Sequence, residues 1–278
     1  MVYLMLAIMS SASVSLVMRV SQRAAKNSMS LLAVSYATCM IVSLLYMGAN
    51  NSYLDEGISL VSLSLGCCTG LLFLLGFILL QQSIAANGMV LSGTFAKLGV
   101  SVPTVLSLAL FGEHLKLYQA VGVGFALFAI WYMNGATLHQ EQRASWLLIV
   151  LLLANGLADF MSKVFSVCGQ PSQEDVYLLV AFGVACIISS ILAWHKTERL
   201  SWKTVVYGVL LGVPNFFSVK FLIGALAYMP ASIVYPTYSV ATILVISLLG
   251  VFLFGERLSM RQRVAQGIIV LSLVLLNM

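Results

Sequence analysis

The stretch "FGERLSMRQRVAQG", Phe254–Gly267, closes one long apolar run and opens the next. A near-copy, "FGEHLKLYQAVGVG", occupies Phe111–Gly124, 143 positions earlier. The two share Phe, Gly, Glu, Leu, Gln, Val and Gly in register. In each copy Gly112 or Gly255 suits the residue that ends a helix. Glu113 and Glu256 then fall at the start of the following helix, where the positive dipole end favours a carboxylate. A polar junction written twice at this separation divides the chain into two similar halves.

The rest of the chain is apolar. Of its 278 residues 61% are hydrophobic and 8% charged, against roughly 25% charged in an ordinary soluble domain. Runs of about 20 apolar residues, the length of a membrane-crossing helix, recur throughout. The pattern is not the alternating one of a membrane β-barrel. The expected fold class is an all-α integral membrane protein of ten transmembrane helices. The spans read as Val2–Val20, Ser30–Ala49, Gly57–Leu80, Gly88–Phe111, Leu115–Ala136, Ser145–Phe165, Val176–Trp194, Lys203–Ala227, Ala231–Phe254 and Leu258–Asn277. The junction falls between helices 4 and 5 and again between 9 and 10. The first five-helix repeat is thus 1–137 and the second 144–278, together one membrane domain. Five is odd, so the second repeat enters the membrane inverted, an arrangement typical of secondary transporters.

The first helices of the halves support this register. Shifted by 144, Ser11, Ser15, Arg19 and Gln22 fall on Asn155, Asp159, Lys163 and Ser166. Each set forms one helical stripe, and lipid cannot satisfy such a stripe.

The doubled junction, together with "YMPASIVYPTYSVATILVISLLGVFLFGE" in the ninth span, resembles the drug/metabolite transporter superfamily and, within it, the ten-helix EamA-type transporters. The resemblance covers essentially the whole chain. It implies a secondary carrier of small organic solutes working by alternating access, without naming the solute.

Features present in only one half are the better candidates for solute contact. Lys97 lies well inside the fourth span, opposite Val240 in the other half, on a stripe with Thr94, Ser101 and Thr104. A lysine at mid-membrane costs roughly 2.5–3.5 kcal/mol on insertion scales, which marks it as functional by default. Lys220 lies in the eighth span beside Asn215, and its counterpart Phe77 is apolar. Asp159 is the acid placed deepest in a span, with Lys163 four residues on, the favourable order for a helical ion pair. In the ninth span Tyr235 and Tyr238 stand among hydroxyl residues as an aromatic wall. The candidate solute-binding residues are therefore Thr94, Lys97, Ser101, Asn155, Asp159, Lys163, Asn215, Lys220, Tyr235 and Tyr238.

Lysines outnumber acids in this set. The expected solute is accordingly small and polar, amino-acid-like, and zwitterionic or anionic. The alternative is an exporter of cationic amines or drugs that uses Asp159 and the tyrosines. No catalytic motif points to an enzyme, and no metal or cofactor is expected. Cys39, Cys67, Cys68, Cys168 and Cys186 read as small buried hydrophobes. The expected partners are the solute, the lipid bilayer, and a proton or counter-substrate; nucleic acid is not among them. The assembly is a monomer or homodimer, and the location a multi-pass membrane, foremost a bacterial inner membrane. Ten of the fourteen Lys and Arg fall on one side, so the positive-inside rule puts both termini outside. The family resemblance implies both inside.

Overall fold

In lipid every backbone N–H and C=O must be satisfied within the chain, so apolar runs of this length form helices. The computed structural model describes residues 1–24, 28–49, 59–87, 92, 95–96, 98–112, 116–134, 145–195, 200–254 and 260–277. Among them are ten α-helices: α1 (Val2–Ala24), α2 (Ser28–Ala49), α3 (Leu60–Asn87), α4 (Ser101–Leu110), α5 (Leu117–Asn134), α6 (Ser145–Cys168), α7 (Glu174–His195), α8 (Trp202–Leu226), α9 (Ala231–Phe254) and α10 (Met260–Asn277). Six helices, α2, α3, α6, α7, α8 and α9, are long and apolar enough to cross a membrane outright. The protein is thus an all-α, multi-pass membrane protein.

Two boundaries differ from those expected. α3 runs on to Asn87 because Gln81, Gln82 and Ala85 are good helix formers even where polar. α7 begins at Glu174, after a 3₁₀ turn at Pro171–Gln173. Its first turn therefore carries Glu174 and Asp175, two acids that the apolar pattern had left outside the span. Phe111, which ends α4, is followed by Gly112 at φ +61°, the left-handed conformation that glycine adopts without penalty. The glutamates of both junctions and Gly255 lie outside the described residues.

The helices cluster into two compact units, each drawing on both halves of the sequence. The first comprises Met1–Leu74 and Val164–Ala227; the second comprises Leu75–Lys163 and Tyr228–Met278. In the first unit α1 packs on α8, α2 packs on α7 and α8, and the opening turns of α3 pack on α7. Phe73, Phe182, Phe216 and Tyr46 form a chain of ring contacts through its interior, with successive centroids 5.7–6.2 Å apart. In the second unit α5 packs on α10 and α4 on α9. Leu79, Leu147, Leu151 and Ala154 form an apolar cluster between α3 and α6.

Hydrophobic burial does not drive helices together when the solvent is itself hydrocarbon; close packing does. The first unit shows this twice. On α3, Gly66 and Gly70 lie against α7: a Cβ on Gly70 would sit 2.4 Å from the Ala181 carbonyl oxygen and 2.9 Å from Val184 Cβ. On α8, Gly208 and Gly212 lie against α2 in the same way. A Cβ on Gly212 would sit 2.5 Å from the Ser35 carbonyl oxygen and 2.6 Å from Thr38 Cβ. Both are GxxxG crossings, and each glycine meets a carbonyl and, three residues on, a Cβ.

Candidate functional site

In the second unit α6 supplies the polar stripe. Asn155, Asp159 and Lys163 are spaced by four, so they climb one face of the helix. Asn155 donates from Nδ2 to the Leu151 carbonyl at 3.1 Å. Its Oδ1 faces Gly76 of α3, where a Cβ would lie 2.8 Å away. Lys163 is buried, with Nζ 5.7 Å from the centre of the Phe111 ring, a cation–π distance. Asp159 is partly buried. Tyr235 of α9 is fully buried, and its hydroxyl donates to the Asp159 backbone carbonyl. This bond ties α9 to α6 beside the acid. Tyr238 is partly buried on the same helix. Ser101 and Thr104 of α4 donate to carbonyls of the residues three and four before them, at 2.7 and 2.8 Å, so their stripe largely satisfies itself. Thr94 and Lys97 lie outside the described residues.

Asn215 and Lys220 belong to the first unit. Asn215 Nδ2 is 3.8 Å from Cys39 Sγ, a weak contact across the α2–α8 crossing. Lys220 is not an uncompensated cation. Its ammonium is hydrogen-bonded to Asp175 Oδ1 and stands 3.7 Å from Glu174 Oε1. It also lies over the Tyr46 ring, 4.8 Å from the centroid. The acid-bearing turn is clamped on two sides. Ser43 of α2 donates to the Asp175 carbonyl at 3.0 Å. The Gln173 side chain, 1% exposed, accepts the Ser59 N–H at 2.9 Å just before α3.

Apolar periodicity alone missed Glu174 and Asp175. The signal that could have found them is Pro171 followed by two acids at a helix start, where carboxylates are favoured. Among the described residues, no group of three or more His, Cys, Asp or Glu side chains is arranged to hold a metal.

Residues 142–278 match the EamA-like transporter family. Through this half the chain belongs to that family. Its general function is the family's, secondary transport by alternating access. The EamA-like chain is also 23% identical over 196 residues to an uncharacterized protein of Haemophilus influenzae, covering 68% of this chain and 67% of that one. It is 25% identical over 104 residues to a probable 4-amino-4-deoxy-L-arabinose-phosphoundecaprenol flippase subunit of Proteus mirabilis, covering 37% of this chain and 91% of the relative. A protein solved by crystallography shares the fold at 15% identity, with a TM-score of 0.78 over 99% of this chain and 96% of the other. The EamA-like architecture and its bacterial relatives are consistent with a bacterial inner-membrane location.

Proposed function

We propose that the protein carries a small zwitterionic, amino-acid-like solute across the membrane, using two inverted five-helix repeats, 1–137 and 144–278. The observation that carries the solute class is the pairing of Asp159 and Lys163 one turn apart on α6. An acid and an ammonium on one polar stripe complement a ligand that bears both charges. Tyr235 and Tyr238 supply the apolar wall that most small-molecule sites have. The described charge in the second unit is therefore balanced, and Lys220 has acidic partners of its own. This favours a zwitterion over a purely anionic solute. The flippase relative supports the same class, since its named cargo carries both an amino and a phospho group.

The matched GxxxG crossings support the two-repeat reading. In both, the third helix of one half packs on the second helix of the other. Residues 31, 34, 35 and 38 of α2 correspond to 177, 180, 181 and 184 of α7.

Counterflow in proteoliposomes tests the solute class. Purified protein loaded with unlabelled amino-acid-like zwitterions is expected to accumulate the labelled forms, and Asp159→Asn with Lys163→Met to abolish this. Accumulation of permanent cations alone would favour the amine-exporter alternative instead.

A further inference from the structure

The cluster that joins α2, α7 and α8 in the first unit does not balance its charge. Glu174 and Asp175 bring two carboxyl groups; Lys220 brings one ammonium. Among the described residues Lys220 is the sole cation within ion-pair reach of either acid. The other titratable group facing the cluster is Tyr46, whose ring rather than its hydroxyl is turned to the ammonium. From α2 and α3 the remaining contacts, Ser43 and Ser59, are neutral.

The three side chains are largely withdrawn from solvent, at 23% exposed for Glu174, 11% for Asp175 and 18% for Lys220. Glu174 Oε1 is buried and accepts no hydrogen bond. With all three groups ionised, the cluster would hold one excess negative charge inside an apolar bundle, a costly state. The helix dipole at the start of α7 offsets about half a charge. A metal cation is poorly suited to supply the rest. The Lys220 ammonium already occupies the space between the carboxylates and would repel it, and two carboxylates fall short of the six or so oxygens that hard cations prefer. A proton needs no coordination shell. Shared between the two acids, it removes the excess charge, as in other closely placed carboxyl pairs.

We propose that Glu174, Asp175 and Lys220 form a binding site for one exchangeable proton at the end of the first unit where α7 begins. Lys220 positions the carboxyl pair and keeps it acidic enough to release the proton. The identity of this proton as the coupling ion rests on the carrier reading above; the presence of the site does not.

Infrared titration of the full-length protein in lipid, without solute, tests the site directly. A protonated-carboxyl band is expected that appears on acidification, shifts in heavy water, and is lost or displaced in both Glu174→Gln and Asp175→Asn. Lys220→Met should keep the band to a pH about 1–3 units higher, because removing a neighbouring opposite charge favours the neutral acid. Lys220→Arg should leave it near the wild-type position, and this conservative variant guards against a Lys220→Met protein that fails to fold. The proposal is overturned if the band survives both acid substitutions, if Lys220→Met moves it to lower pH, or if sodium at constant pH abolishes it. Absence of counterflow for every solute in the wild-type protein would sink the carrier reading while leaving the band in place.

Discussion

Replacing Gly212 with alanine probes the packing that holds the first unit together. The new Cβ would lie 2.5 Å from the Ser35 carbonyl oxygen and 2.6 Å from Thr38 Cβ. Carbon atoms in ordinary contact are about 3.5–4.0 Å apart, so α8 must withdraw from α2 by about 1 Å. That movement also stretches the Cys39 Sγ–Gly212 carbonyl contact, now 3.2 Å. Overpacking of this kind costs typically 1–3 kcal/mol, and the alanine recovers up to about 1 kcal/mol of helix propensity. A net loss of about 1–2 kcal/mol is expected, and more for valine. Gly70→Ala, at the corresponding α3–α7 crossing, should behave alike. Gly124→Ala is the control, since a Cβ there meets nothing within 4 Å and only the propensity gain remains. The assay is reversible unfolding in mixed micelles, followed by tryptophan fluorescence. A Gly212→Ala protein as stable as Gly124→Ala would refute the close-approach account of the crossing.

Tyr235→Phe removes the hydroxyl that reaches the Asp159 carbonyl; a stability loss of about 0.6–1.5 kcal/mol is expected in the same assay, and no loss would deny the bond a structural role. Lys97→Ala should reduce solute counterflow sharply while expression holds, whereas wild-type uptake and affinity would remove Lys97 from the solute path. In a cysteine-less background, an impermeant maleimide applied to intact cells should label a cysteine at position 52 and spare one at 199, as the charge bias requires. The reverse pattern would place both termini inside.

The sequence by itself determined the fold class, because 61% hydrophobic residues in runs of span length leave lipid as the only suitable solvent. The doubled "FGE" junction and the matched stripes of α1 and α6 likewise made the repeat register readable, since helical periodicity is a local property. The α6 stripe of Asn155, Asp159 and Lys163 was legible for the same reason. What tertiary structure decided was which charges meet. Lys220 looked like an unmatched cation because its partners, Glu174 and Asp175, lie 45 or more positions away on another helix. Apolar periodicity also stops short of a helix start, where dipole and capping favour acids, so those two residues read as loop. Nor could spacing show that the compact units interleave the two halves. Which helices pack together depends on where small residues let backbones approach, and Gly66, Gly70, Gly208 and Gly212 acquire that meaning only beside α7 and α2.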